Sequence, residues 1–132
     1  MPISSAIGWA AFALVPAAAV AGWVLRRHTR GGFITRMRPH FFIGYGAPAL
    51  ATLHLLLSTG AMGGANGDGI WLATFALGGV AVQAFLGTNL QSPGAYRRPL
   101  RRWHVLTFWT VLVLIAGHIV LNSSFITSAM GQ

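Results

Sequence analysis

Four of the five histidines fall into two pairs with one spacing: His40 with His54, and His104 with His118, fourteen residues apart in each case. Neutral imidazole binds transition metals through its free ring nitrogen. On an α-helix, fourteen residues advance about 21 Å and turn through nearly four full turns, so each pair lies within roughly 40° of one face. Two such helices side by side present facing imidazoles at two levels. Low-spin haem iron takes axial ligands from its two opposite sides, and a pair of neutral imidazoles supplies them. The spacing therefore predicts two stacked b haems, one between His40 and His104 and one between His54 and His118.

The elements that must position these rings are apolar and long. Of the 132 residues, 55% are hydrophobic and 8% charged, where a soluble domain carries about 25% charged residues. Uncharged runs over 7–25, 40–58, 70–88 and 104–121 are each long enough to cross the hydrocarbon core. They predict an all-α, integral membrane four-helix up-down bundle forming a single transmembrane domain over 1–132. The first run has no basic residues before it, so it reads as a retained span and not a cleaved leader. Thr35 is expected to cap the second helix, with Pro39 in its first turn, and Pro48 to disturb its middle. The segments 59–69 and 89–103 read as loops, with Pro93-Gly94 as a turn and Asn122, Ser123 and Ser124 closing the last span.

Charge orients the bundle. The chain has nine arginines, no lysine and one acid, Asp68, and every arginine falls between the first and second runs or between the third and fourth. By the positive-inside rule both arginine segments lie in the cytoplasm of a bacterial-type inner membrane, with both termini outside. The second and fourth spans then run in the same direction and sit diagonally. Arginine blocks confined to two loops are a topology signal, so no nucleic-acid partner is expected despite the net charge of +8. Without cysteine there is no disulfide or thiolate ligation.

Haem carboxylates favour a basic or hydrogen-bonding rim. Arg36, Arg38, Arg101 and Arg102 are the candidates beside the inner haem, and Ser58, Asn66, Asn122 and Ser123 beside the outer one. Gln83 is expected to face the bundle interior. Gly8 and Gly22, also fourteen residues apart, offer space on a helix that bears no ligand, although ordinary close packing explains them too. Any one histidine is as readily a hydrogen-bonded core residue, and His28 reads as a solvated loop residue. The inner pair is close enough to the arginines to be interfacial, which would leave a single haem at His54 and His118.

The motif Arg38-x-His40-x13-His54-x-x-Leu57 recurs as Arg102-x-His104-x13-His118-x-x-Leu121. Paired helices of this kind, separated by one span, resemble the haem-binding core of b-type cytochromes. Ferric-reductase-like and NADPH-oxidase-like transmembrane domains are the most similar, and quinol-oxidising cytochrome b is more distantly so. The resemblance covers about residues 36–123 and implies bis-histidine haem b and electron transfer across the membrane. Those relatives usually carry more spans and a cytoplasmic flavin and nicotinamide domain, for which 132 residues leave no room.

The expected function is an electron-transfer subunit embedded in membrane lipid, not an enzyme on its own. A redox partner subunit is expected, such as a c-type cytochrome or a dehydrogenase, with quinone as a further partner near either haem edge. The absence of any carboxylate inside a span argues against proton pumping. The reading from another class is a non-redox scaffold or assembly subunit whose histidines are structural or hold a transition metal.

Overall fold

The computed structural model describes residues 3–28, 30, 32–60, 65–92, 94 and 96–122. They form four α-helices in chain order: α1 (Ile3–His28), α2 (Phe33–Ser58), α3 (Gly67–Asn89) and α4 (Arg97–Asn122). All four are long and apolar enough to cross a membrane, which makes this a multi-pass membrane architecture. In hydrocarbon every backbone N–H and C=O must be satisfied within the chain, and a helix does that with local bonds alone. At about 1.5 Å per residue, the 26-residue helices reach about 39 Å, beyond the hydrocarbon core of about 30 Å.

The helices are longer than the uncharged runs. The segment 89–103, expected to be a loop, is helical from Arg97 onward. Arginine is a good helix former, and its long stem lets the charge reach water from an interfacial turn. The macrodipole disfavours arginine in a first turn by only about 0.3–1 kcal/mol, and the membrane boundary overrides it. Thr35, expected as a cap, lies inside α2, whose N-cap is Gly32 with no side-chain bond. Pro39 is accordingly not in a first turn but deeper in α2, as is Pro48. Asn66 is the built cap: its side chain accepts from the backbone N–H groups of Asp68 and Gly69 at 3.0 and 3.2 Å. The expected terminators Ser123 and Ser124, and Pro93 of the expected turn, lie outside the described residues.

α1 packs mainly on α2 and α3 mainly on α4; the two hairpins meet chiefly along α2 and α3 and less along α1 and α4. That leaves α2 and α4 as diagonal partners. At mid-depth Ala47, Val80 and Val111 are buried, with Leu14, Val15 and Ile115 packed on them. Ala47 and Val111 stand midway between the two histidines of their own helices, so this apolar plug separates the two levels. Close approach depends on small residues. A Cβ on Gly79 would lie 2.7 Å from Val111 Cγ2, and one on Gly117 would lie 2.8 Å from Leu72 Cδ1.

Val111 is 1% exposed and Val113 71%, which separates packing from lipid contact. Val111→Ala should destabilise the bundle by about 1–3 kcal/mol through the cavity it leaves. Val113→Ala should be close to neutral. Thermal unfolding of the two variants in one detergent checks the difference.

Candidate metal centre

α2 and α4 run parallel, and their histidines meet across the bundle at two levels. The rings of His40 and His104 have centroids 6.3 Å apart and planes crossed at 70°. Those of His54 and His118 are 6.4 Å apart and crossed at 74°. A metal held between two imidazole nitrogens at about 2.0 Å each, with a ring radius of about 1.2 Å at either end, puts the centroids about 6.4 Å apart. Both pairs stand at that separation.

The neighbouring helices hold the rings from behind. His40 Nδ1 lies 2.7 Å from the Ala18 carbonyl, His54 Nδ1 2.7 Å from the Ser4 carbonyl, and His118 Nδ1 2.9 Å from the Gly69 carbonyl. A carbonyl can only accept, so each Nδ1 carries the proton and donates it. In a neutral ring the Nε2 lone pair is then free for a metal. Ser58 Oγ and Asn122 Nδ2 come within 3.5 Å of Nδ1 of His54 and His118, each one turn further along the same helix. Asn122 Oδ1 also accepts from the Asn66 backbone N–H at 2.8 Å, tying the start of α3 to the end of α4.

These contacts follow one register. Ser4 and Ala18 are fourteen residues apart, and so are Gly69 and Gln83. Four residues beyond each stands a small residue: Gly8, Gly22, Ala73 and Gly87. A Cβ on Gly8 would lie 2.9 Å from His54 Cε1 and Nδ1, one on Gly22 3.0 Å from His40 Nδ1, and one on Gly87 3.4 Å from His104 Cε1. The glycines on α1 therefore make room for the imidazole itself. The hairpin α3–α4 repeats α1–α2 at an offset of sixty-four to sixty-five residues, a parallel repeat of the kind related by an axis along the membrane normal.

His104 departs from this scheme. Among the described residues, its Nδ1 and the Oε1 of Gln83 are buried without a hydrogen-bond partner. The amide nitrogen of Gln83 lies 3.4 Å from His104 Nε2. An amide N–H can only donate, so His104 too has its proton on Nδ1. Orphaned buried polar atoms are rare in folded proteins, and both lie at the inner level.

The other candidate residues divide by helix face. Arg36 and Arg101 precede His40 and His104 by about one turn and stand near the histidine face of their helices. Arg38 and Arg102 precede them by two residues, about 200° around the helix, and line outward grooves with Phe41 and Phe42 and with Trp103 and Leu106. Asn122 is at the outer pair, as described above. His28 is the exposed last residue of α1.

No protein-family model, no curated protein and no solved structure matches this chain. What the site holds must be judged from its own donors. Among the described residues no group of three or more His, Cys, Asp or Glu side chains could hold a metal ion, whereas zinc and its like take three or four protein ligands. Two imidazoles can serve as the axial pair of a metal that brings its other ligands with it, as porphyrin iron does. The glycines behind His40, His54 and His104, the Nδ1–H tautomers and the paired donor set all fit such a group.

Proposed function

We propose that this chain is an electron-transfer subunit of a bacterial-type cytoplasmic membrane, holding one b haem between His40 and His104 and another between His54 and His118. The observation that carries the reading is the pair of ring separations, 6.3 and 6.4 Å, combined with Nδ1 protons turned to backbone carbonyls. By the positive-inside rule the arginine end faces the cytoplasm and the His54–His118 level is the outer one. Bound haem supplies a one-electron couple at each level.

The protein's own part is to hold and insulate. The Ala18, Ser4 and Gly69 carbonyls fix the ring tautomers and strengthen the ligand nitrogens. Arg36 and Arg101 offer cationic partners for the carboxylates of an inner haem, and Asn122 an amide for those of an outer one. Ala47, Val80 and Val111 exclude water between the levels. The sole acid, Asp68, sits in the first turn of α3, so no carboxylate is available to carry protons between the levels. Electrons pass to or from a redox partner subunit, such as a c-type cytochrome or a dehydrogenase.

The contact between Gln83 and His104 favours a second reading at the inner level alone: His104 stays hydrogen-bonded to Gln83, and only the outer pair binds haem. A reduced-minus-oxidised optical spectrum of the purified protein tests the proposal. Sharp low-spin b bands are expected, and their absence from haem-replete cells contradicts it. Gln83→Ala should leave the band intensity unchanged if both sites bind, and should raise it if the amide blocks the inner one.

A further inference from the structure

Two grooves open on the outer faces of the arginine end. Ile34, Arg38, Phe41, Phe42, Tyr45 and Gln91 line one of about 260 Å³. Its counterpart, of about 310 Å³, is lined by Pro99, Arg102, Trp103 and Leu106. They correspond under the hairpin repeat: each arginine stands two residues before a histidine, and Phe42 and Leu106 stand two residues after one. The arginine and the apolar residue four positions on recur in both grooves, while Tyr45 and Gln91 belong to the first alone.

The first groove has a directed polar floor. Thr88 Oγ1 donates to the Ala84 carbonyl at 2.9 Å, which commits its proton. Tyr45 Oη, 2.6 Å from Thr88 Oγ1, is therefore the donor in that contact, and it accepts from Gln91 Nε2 at 3.3 Å. Every hydroxyl proton on the floor points inward. What faces a ligand is the guanidinium of Arg38 and the Gln91 amide, whose second N–H donates and whose oxygen accepts. The one acid of the chain, Asp68, lies at the opposite end of the bundle. A quinol would need a group that takes its proton, and Arg38, Tyr45 and Gln91 provide none. Among the described residues that line the groove Arg38 is the one charge, and it suits an anion with oxygen acceptors. Phe42, 75% exposed, and Ile34, 45% exposed, give it an apolar wall continuous with the lipid-facing surface.

We propose that the Arg38 groove binds the phosphodiester headgroup of an anionic glycerophospholipid, its acyl chains lying along Phe42 and Ile34, with the Arg102 groove as its repeat-related counterpart. Arg38 supplies a charge-assisted bond to a phosphate oxygen, and the Gln91 amide supplies a second. Basic pockets on the cytoplasmic side of membrane helices take anionic headgroups in this way. Neither groove depends on the metal centre, so this assignment stands or falls separately from haem binding.

Native mass spectrometry of the delipidated protein, titrated with phosphatidylglycerol or with phosphatidylcholine, tests it. Phosphatidylglycerol adducts should survive activation at concentrations where phosphatidylcholine adducts are lost. Arg38→Gln should weaken the tightest adduct about tenfold, as loss of one charge-assisted bond implies. Arg98→Gln, which removes an exposed arginine outside both grooves, should leave it unchanged. Circular dichroism and elution volume confirm that each variant remains folded. Equal losses in the two variants would reduce the effect to general attraction by the basic end and overturn the site. Displacement by millimolar inorganic phosphate would assign it to free phosphate, and displacement by a short-chain quinone would assign it to quinone; either overturns the lipid.

Discussion

Replacing His54 with alanine is expected to halve the haem content, from two per chain to one, and to leave the remaining band intact. The ring of His54 stands 6.4 Å from His118, and with one axial ligand gone the outer site keeps a single imidazole. The inner pair lies about 21 Å away along the helix, behind the plug of Ala47, Val80 and Val111, so it should not respond. His40→Ala should produce the complementary loss. The pyridine haemochrome assay reads the ratio in each variant, and redox titration shows which of two potentials disappears. A variant that loses both haems at once would place His54 in the folding of the bundle rather than in one site.

The second large effect is expected from Gly8→Leu. A Cβ there would stand 2.9 Å from His54 Nδ1 and Cε1, on the side where the ring bonds the Ser4 carbonyl. Overpacking of this kind costs about 1–3 kcal/mol, and here the least constrained response is for the imidazole to leave its carbonyl. Outer haem should fall about tenfold in occupancy while the inner haem persists. Gly78→Leu is the matched control, because nothing lies within 4 Å of a Cβ at that position. Optical spectra of the two variants at equal protein concentration make the comparison.

Much of this arrangement was legible in the residues. Uncharged runs fixed the number of helices, because no other structure satisfies that much backbone in hydrocarbon. The arginine distribution made α2 and α4 parallel, and short connections made them diagonal. Helix ends were less legible: Arg97 to Trp103 continue α4 because arginine is helix-compatible and can hold its charge at the interface, so charge marks the membrane boundary without ending the helix. Backbone acceptors leave almost no trace in side-chain identity. The Ser4, Ala18 and Gly69 carbonyls could be inferred only through the spacing of Gly8 and Gly22, which reads equally as helix packing. The inner-level departure at Gln83 was half visible, since a lone amide in an apolar span should face inward, but its contact with His104 depends on the α3–α4 register.

The repeat explains why the two sides of each level are alike and where they differ. Each hairpin supplies one histidine helix and one supporting helix, and one register sets the Ser4, Ala18 and Gly69 carbonyls behind three of the four rings. Among the four paired histidines of the described residues, His104 alone has no carbonyl bonded to its Nδ1, and a polar side chain approaches its Nε2. Gln83 is therefore one source of any difference between the two levels, beside the arginines at the inner one.

The most direct measurement is the molar ratio of protohaem to polypeptide in the wild-type protein, purified from haem-replete cells and quantified by haemochrome and amino-acid analysis. Two haems per chain are expected. A ratio of one would leave the inner histidines to Gln83, and a ratio of zero would contradict the assignment of both pairs.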